Sequence, residues 1–424
     1  MIKKKSITIL AVDTSCDDTG IAIIKASKNG SFKVLSNIIS SQVKIHEKYG
    51  GVYPMLAKRE HQRNLVPVLK RAMGEAKILE AKSLPCRQAG VKRKAKSYSL
   101  KFKSLEKILE REDILYKQLE VFLKKYEKPD IDLIAVTNGP GLEPCLWVGV
   151  NFARTLSLYW DIPVVPVNHI EAHMLVNFLP KIDENSKRKA KSSKLQLKTK
   201  NSNFPAVCLV VSGGHTQLIL MKKIGKYEIL GETRDDAAGE CFDKTARILG
   251  LGYPGGPAIA EFTRQWKSEI RNPKSEIKLP RPMINTKDYD FSFSGLKTAV
   301  LYEFKKQNKG TQKDKQYIQG MAAEIQQSII DVLIKKTINA AINYKAKTII
   351  LGGGVVANKE LRRQFAEKIQ HLIPNTQYLT PNTQLCTDNA LMVAITAYFR
   401  HRNPSTGSGY GWKNIEVDAN LRLE

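Results

Sequence analysis

The sequence predicts an α/β protein built from two duplicated lobes with a cleft between them. Residues 7–24 and 206–221 each show the pattern of a strand, a tight turn and a second strand. Residues 133–141 and 348–354 each show a buried strand followed by a glycine turn. This order of elements occurs twice, as the duplication of one α/β domain would produce. A chain of 424 residues with 42% apolar content is long enough to fill two cores.

The pattern places an N-terminal lobe at residues 1–160 and a C-terminal lobe at residues 161–400. A linker rich in glycine and serine leads into a short tail, so residues 401–424 are predicted to lie outside both lobes. The lobes are interrupted by two basic insertions and by one exposed insertion with a short tandem repeat. These insertions span about 78–127, about 179–202 and about 267–279.

Two segments have apolar residues at helical spacing. The pattern predicts one helix over about 53–76 and another over about 316–344, each with a stripe that faces the core. The predicted stripe of the second helix consists of Met321, Ile325, Ile329, Val332, Leu333, Ile338 and Ile342.

The net charge of +27 favours a polyanionic partner such as RNA, because bound cationic side chains release counterions. Residues 81–104 contain eight Lys or Arg and no acid, and residues 179–200 contain eight against two acids. These segments are either arms that grip nucleic acid or Lys-rich insertions in solvated loops. Neither has the interleaved aromatic residues of a base-stacking platform.

The six cysteines lie far apart and form no Cys-x-x-Cys pair, so we predict reduced thiols. The apolar stretch near the N-terminus reaches Asp13 too soon for the core of a signal peptide, and no run of eighteen apolar residues occurs. The sequence therefore predicts a cytoplasmic protein with no membrane contact.

Two histidines, His169 and His173, are separated by four positions. On a helix, positions i and i+4 share one face, so both imidazoles can reach one metal ion. Asp388, which precedes an apolar helical segment, is the best placed third ligand, although it could also be a plain helix cap. Two imidazoles and a carboxylate suit ferrous iron or zinc and leave positions open for a substrate.

The same histidine spacing occurs in zinc peptidases, which place a general-base glutamate directly after the first histidine. Here Ile170 occupies that position. Glu171 lies roughly 200° around the helix from His169 and points away from the metal face. A peptidase would therefore lack its base.

Glycine turns are the second candidate feature, because glycine lets backbone N–H groups approach an anion closely. Such turns occur at 211–216 and 351–358. A third glycine-rich turn at 253–257 and the acid cluster at 235–244 belong to the same set of candidate features. The sequence contains neither a P-loop nor a Gly-x-Gly-x-x-Gly that opens a helix after the first strand. A nucleotide is therefore expected in a cleft between two lobes.

Eight short motifs follow one another along nearly the whole chain. They lie at 13–20, 168–173, 211–217, 235–244, 253–257, 291–298, 352–358 and 386–389. In order, they resemble the motifs of the TsaD (Gcp/YgjD) family of tRNA N6-adenosine threonylcarbamoyltransferases. The resemblance implies two duplicated lobes of the actin-like ATPase and sugar-kinase (ASKHA) type.

The resemblance also implies an activity. The enzyme would transfer the threonylcarbamoyl group from threonylcarbamoyl-adenylate to N6 of adenosine 37 in tRNAs that read ANN codons, with release of AMP. It would use one divalent ion, with Fe²⁺ favoured over Zn²⁺, and ATP or ADP is a further candidate ligand of the cleft. The implied metal ligands are His169, His173 and Asp388.

The implied adenylate contacts are Val210, Val211, Ser212, Gly213, Gly214, Asp243, Gly256 and Asn358. The candidate catalytic acids are Asp13, Asp17 and Asp18, and we hypothesise that Asp13 or Asp17 helps to remove the proton from N6. Asp13 and Asp18 stand where the family pattern has glutamate, so each carboxylate is one methylene shorter. Glu143-Pro144 replaces the small residues that the family pattern has after Gly-Pro-Gly-Leu, the sequence at 139–142.

The implied partners are tRNA, a separate synthase that supplies the adenylate, a non-catalytic TsaB-like paralogue and a TsaE-like ATPase. Three alternatives remain open at this stage. They are a metalloendopeptidase, an ATP-dependent phosphotransferase of the same fold, and a scaffold that binds tRNA without catalysis. The histidine pair counts against the phosphotransferase, since such enzymes need only magnesium held by carboxylates and phosphates.

Overall fold

The structure is a computed structural model that describes residues 5–28, 30–82, 101–179, 195–196, 203–269, 277–402 and 411–423. Contacts divide the chain into two compact units. The first comprises residues 1–42, 52–198 and 388–422, and the second comprises residues 43–51, 199–387 and 423–424.

The first unit is built on a mixed sheet whose strands lie in the order β5-β4-β1-β2-β3-β6. The predicted strand–turn–strand at 7–24 is the antiparallel pair of β1 and β2. β4 and β5 then add in parallel beside β1. The strands are β1 (Ser6–Asp13), β2 (Asp18–Ser27), β3 (Ser31–Ser41), β4 (Leu133–Gly139), β5 (Val164–Asn168) and β6 (Leu195–Gln196).

Helices cover both faces of this sheet, because successive residues of its central strands are apolar and their side chains point to opposite faces. Leu10 and Val12 of β1 belong to a cluster formed with several helices, whereas Ile9 and Ala11 point to the other face. The helices of that cluster are α2 (Pro54–Glu75), α3 (Asp113–Lys125) and α4 (Glu143–Trp160). A later helix, α11 (Ala390–Arg402), packs against β1, β2, β4 and β5. Between β5 and β6 lies the short α5 (His169–Leu175).

The second unit repeats the strand order of the first in the sheet β11-β10-β7-β8-β9. β7 and β8 form the predicted antiparallel pair at 206–221, and β10 and β11 add in parallel beside β7. The two sheets thus share one topology, which confirms the predicted duplication of the ASKHA type. The strands are β7 (Ala206–Val211), β8 (Thr216–Lys223), β9 (Lys226–Glu232), β10 (Thr348–Gly352) and β11 (Gln377–Leu379).

The long helices of the second unit pack around one apolar cluster that includes Val207, Leu209 and Val211 of β7. Each fully buried leucine or isoleucine in such a cluster contributes roughly 1.5–3 kcal/mol. The helices are α1 (Val43–His46), α6 (Ala238–Ile248), α7 (Gly255–Glu269), α8 (Ser294–Lys306), α9 (Lys315–Asn343) and α10 (Lys359–Leu372). The two helices predicted from periodicity, at 53–76 and 316–344, correspond to α2 and α9.

The units do not divide the chain at residue 160, where the sequence pattern placed the lobe boundary. β5 and α5 stay with the first unit because β5 pairs with β4. α11 also belongs there, although its sequence position suggested the second lobe, because its contacts are with the first sheet. The tail residues 411–422 are likewise part of the first unit.

Part of the predicted basic insertion at 78–127 is core. Residues 101–108 are helical, and α3 follows. The buried side chains of this stretch are Leu105, Leu109, Leu115, Leu119, Phe122 and Leu123. Most of the other predicted insertions and the linker lie outside the described residues. Ile342, predicted on the core stripe of α9, is 51% exposed because it is in the last turn of that helix.

The cysteines that the structure describes are Cys16, Cys145, Cys208, Cys241 and Cys386, and all are free thiols. Among the described residues, no helix combines the length and the apolar character needed to cross a bilayer.

Candidate metal centre and nucleotide-binding turns

The histidine pair sits on α5, whose start is fixed by Asn168. The side chain of Asn168 accepts hydrogen bonds from the backbone N–H groups of Ile170 at 2.9 Å and Glu171 at 3.2 Å. This cap satisfies two of the donors that a helix N-terminus leaves open. α5 therefore begins at His169, at the carboxyl end of β5, and His173 lies one turn later on the same face of the helix.

The structure brings Asp388 to the histidine pair. Its Oδ1 lies 3.4 Å from His169 Nε2 and 3.3 Å from His173 Nε2, and the two Nε2 atoms are 3.2 Å apart. Asn389 accepts the capping hydrogen bond from Met392 N, so Asp388 is not a plain cap of α11. Among the described residues, these three side chains form a group that could hold a metal ion.

The spacing of the three donor atoms fits a metal ion. Tetrahedral ligands at 2.0–2.1 Å from zinc are about 3.3 Å from one another, which matches the observed triangle. The side chains of His169 and His173 are 7% and 1% exposed, whereas that of Asp388 is 21% exposed. An ion bound there would be shielded by the protein on the histidine side and open to a ligand on the aspartate side.

The electrostatics of the group favour one bound proton. Burial lowers the pKa of His169, but the carboxylates of Asp388 and Asp13 outweigh it and raise the pKa to about 9. Burial and the charge of His169 lower the pKa of His173. Burial alone would raise the pKa of Asp388, yet the charge and hydrogen bonds of the two histidines hold it far below its usual range. At neutral pH the metal-free triad therefore carries its proton on His169.

Metal binding at neutral pH is expected to release about one proton per ion, because the ion needs the neutral imidazole of His169. Affinity should therefore rise with pH up to about 9 and level off above it. Titration calorimetry with Zn²⁺ at pH 7.5, in two buffers of different ionisation enthalpy, measures the proton count. A binding heat that is the same in both buffers would contradict this assignment.

Glu171 points away from the metal group, as its position predicted. Its Oε2 accepts hydrogen bonds from Arg400 of α11, with Nε at 2.8 Å and Nη2 at 2.8 Å, and the carboxylate is 3% exposed. Arg400 also donates to the carbonyl of Pro166 at 3.1 Å. The glutamate therefore anchors α5 to α11, and it is not placed as the base of a peptidase.

The turn that carries the candidate acids is held from several sides. Ser15 N donates to Asp13 Oδ1 at 3.2 Å, and Leu142 N donates to the Ser15 carbonyl at 2.8 Å. Gly141 is required beside it, since a Cβ there would lie 2.5 Å from the Ser15 carbonyl oxygen. The turn is therefore a rigid part of the first unit.

The three aspartates differ in environment. Asp13 is buried, and burial raises its pKa although His169 opposes the shift. Burial raises the pKa of Asp18 to about 7, against a hydrogen bond from Ser41. Asp17 and Asp18 are both partly exposed. Asp13 is therefore the one of the three carboxylates that a substrate cannot reach directly.

His61 was not predicted from sequence, yet it braces this turn. The ring is fully buried, with Nε2 2.9 Å from the Cys16 carbonyl oxygen and Nδ1 2.8 Å from Thr19 Oγ1. The carbonyl can only accept, so Nε2 carries the proton and Nδ1 accepts from the threonine. A histidine within a helix rich in charged residues gives no pattern that would have revealed this role.

In the second unit, the glycine turn after β7 is open to solvent. Gly213 and Gly214 are exposed, and a Cβ at either would meet no atom within 4 Å. Two other glycines let their backbones pack against the base of the turn. Gly239 of α6 lies against the Ser212 carbonyl, and Gly353, at φ +93°, lies against the Val211 carbonyl. Neither position has room for a side chain.

The other predicted adenylate contacts have structural partners. Asp243 Oδ1 accepts from Gly255 N at 2.7 Å and so holds the start of α7, beside the open Gly256. Asn358 caps α10 through Leu361 N at 3.0 Å and donates to Gln326 Oε1 at 2.7 Å. Val210 and Val211 are fully buried, so only their backbone can meet a ligand.

Comparison with known proteins points to one family. The model of the family described as "TsaD: tRNA N6-adenosine threonylcarbamoyltransferase" matches residues 33–82 and 115–395. A protein of that name from Syntrophomonas wolfei is 38% identical over 405 residues, which are 96% of each chain. A namesake from Persephonella marina is 37% identical over 419 residues, covering 98% of this chain and 96% of its own. A third protein of that name, from Thermosipho africanus, is 38% identical over 415 residues, covering 98% of this chain and 99% of its own.

Proposed function

Because this chain belongs to the TsaD family and is a tRNA N6-adenosine threonylcarbamoyltransferase, we propose that its donor is threonylcarbamoyl-adenylate and its target is adenosine 37. The tRNAs would be those that read ANN codons, and AMP would be released. The metal group, formed by two histidines of α5 and by Asp388 just before α11, is the observation that carries this proposal. Such a group suits an acyl transfer in which oxygen atoms of the donor need a fixed position.

The metal group would be formed by His169, His173 and Asp388, with Fe²⁺ as the first candidate and Zn²⁺ as the second. Two imidazoles and one carboxylate suit either ion. When bound, the ion would supply a Lewis acid that orients the threonyl oxygens of the donor. The chain's own contribution is the rigid placement of the ligands by the Asn168 cap and the Glu171–Arg400 pair.

The adenylate would lie over the turn formed by Ser212, Gly213 and Gly214, with the backbone of Val210 and Val211 beneath it. Exposed glycines with empty space above them allow N–H groups to approach a phosphate. Asp243, Gly256 and Asn358 would complete the contacts from α6, α7 and α10. The same surface is the candidate site for ATP or ADP.

In the transfer step, the N6 lone pair would attack the carbamoyl carbon and form the new N–C bond. The bond from that carbon to the phosphate oxygen of AMP would break, and AMP would leave as an anion. The proton on N6 would pass to Asp17, a partly exposed carboxylate between β1 and β2. Asp13, which is buried, and Asp18, whose pKa burial raises to about 7, would support the turn and its charge.

The proposed partners are tRNA, a separate synthase that supplies the adenylate, a TsaB-like paralogue and a TsaE-like ATPase, all in the cytoplasm. The peptidase alternative lacks a base, because Glu171 is bound to Arg400. A phosphotransferase would have no use for a buried histidine pair beside Asp388.

Incubation of the protein with threonylcarbamoyl-adenylate and an unmodified tRNA that reads an ANN codon tests the proposal. The expected result is threonylcarbamoyl-adenosine at position 37 and one AMP for each modified tRNA. The same tRNA with guanosine at position 37 is the control and should stay unmodified. If the TsaB-like and TsaE-like partners are present and no product forms, the proposal is wrong.

A further inference from the structure

The turn between α8 and α9 is an exposed and strongly basic surface. We define the basic turn as residues 302–315. Its cationic residues are Lys305, Lys306, Lys309, Lys313 and Lys315, against Glu303 and Asp314. All five lysines are exposed. Most of the two basic insertions lies outside the described residues, whereas the whole of this turn lies within them.

Most of these lysines are unpaired within the described part of the chain. Lys315 forms an ion pair with Glu269 at 2.8 Å. The structure shows no such partner for Lys305, Lys306, Lys309 or Lys313 among its described residues. Elsewhere in the same unit, Arg264 pairs with Glu261 and Arg363 pairs with Glu360 and Glu367. The basic turn therefore keeps a positive charge that no ion pair with the described residues of its own unit neutralises.

Tyr302 shares the helix face of two of these lysines. It precedes Lys305 by three positions and Lys306 by four, so the three side chains are neighbours on α8. The tyrosine is 69% exposed. Proteins that bind single-stranded or looped RNA combine exposed aromatic rings, which stack on bases, with lysines, which contact the charged phosphates.

The turn is also well ordered by its own hydrogen bonds. Gln312 Nε2 donates to the carbonyls of Phe304 and Gln307, each at 2.9 Å. Thr311 N donates to Asn308 Oδ1 at 3.0 Å, and the rings of Phe304 and Tyr317 stack at 6.4 Å. The lysines are thus presented from a fixed backbone, which lowers the entropic cost of binding.

The position of α9 places this surface beyond the candidate adenylate turns of the same unit. The C-terminal end of α9 is at the start of β7, since Lys347 N donates to the Pro205 carbonyl. Further up the helix, Gln326 contacts Asn358 just after β10 ends. The eleven residues from Gln326 back to Lys315 add about 16 Å of helix beyond that contact. The basic turn therefore lies at the same end of the unit as the glycine turns.

We propose that the basic turn binds the sugar–phosphate backbone of the tRNA substrate, close to the nucleotide that is modified. This inference rests on the family's tRNA substrate and adds a surface of the second unit that holds it. The three lysines on or next to α8, Lys305, Lys306 and Lys309, would contact phosphates. Tyr302 would stack on an unpaired base.

The test compares two triple variants with the same charge change. One is Lys305→Gln/Lys306→Gln/Lys309→Gln. The matched control is Lys222→Gln/Lys223→Gln/Lys226→Gln, which removes three exposed lysines from the β8–β9 hairpin at the opposite edge of the sheet. The measurements are tRNA affinity as a function of salt and steady-state transfer.

The basic-turn variant is expected to bind tRNA about 10- to 100-fold more weakly, with a salt slope that is shallower by about 2 to 3. Its KM for tRNA should rise by the same factor, while kcat at saturating tRNA stays unchanged. The control variant should match the wild type. Equal tRNA affinities of the two variants would overturn the proposal. Absence of transfer by the wild type would instead refute the proposed donor and target, and the binding comparison would still stand.

Discussion

Replacing His169 or His173 by alanine is expected to remove metal binding and threonylcarbamoyl transfer together. Each substitution leaves two of three ligands, and the donor triangle of 3.2–3.4 Å no longer exists. Loss of a ligand should weaken metal binding by at least about 100-fold, since changes even in the outer partners of metal ligands cost 10–100-fold. Elemental mass spectrometry would measure the metal content of each variant, and a single-turnover assay would measure its transfer rate.

His371→Ala is the matched control for this prediction, because His371 is an exposed histidine of α10 in the second unit. It should keep the metal content and activity of the wild type. A thermal melt of each variant separates lost ligation from lost folding. If a histidine variant proves metal-free but transfers at the normal rate, the metal has no part in the reaction.

Replacing Asp17 by alanine is expected to slow transfer by about 10²–10⁴-fold while the metal and the adenylate still bind. Asp17 is not one of the three grouped ligands, and it is a partly exposed acid of the β1–β2 turn. Its loss removes the acceptor of the N6 proton and leaves the binding surfaces intact. Adenylate binding by calorimetry and a single-turnover rate across pH would test this.

Asp113→Ala serves as the control for Asp17, since Asp113 is an exposed acid at the start of α3. Asp113→Ala should keep the wild-type single-turnover rate, whereas Asp17→Ala should lower it. An unchanged single-turnover rate in Asp17→Ala would shift the role of base to Asp18, whose burial raises its pKa to about 7.

The sequence was sufficient for elements whose signal is local. The strand–turn–strand pairs and the helices at 53–76 and 316–344 follow from periodicity, and the structure confirms them. The grouping of His169 and His173 follows from helix geometry alone. Asp388 could be proposed as their partner because it precedes an apolar helix, and the structure places it 3.3 Å from His173 Nε2.

Features that depend on contacts between distant segments could not be predicted in this way. The assignment of α11 to the first sheet depends on packing between residues far apart in sequence. Asn358 was predicted as a ligand contact, and the structure also gives it two structural hydrogen bonds that local pattern does not specify. The bracing of the acid turn by His61 is of the same kind.

The return of α11 to the first sheet has a consequence for the order in which the protein is made. The second unit is largely one continuous stretch, residues 199–387, whereas the first is complete only when residues 388–422 have been synthesised. Asp388 is therefore added to the metal group more than two hundred residues after the histidines leave the ribosome. A nascent or truncated chain that ends before this point has the histidines but lacks their carboxylate. Metal capture would then require the third segment of the first unit, and an ion once bound would join that segment to the one that carries the histidines.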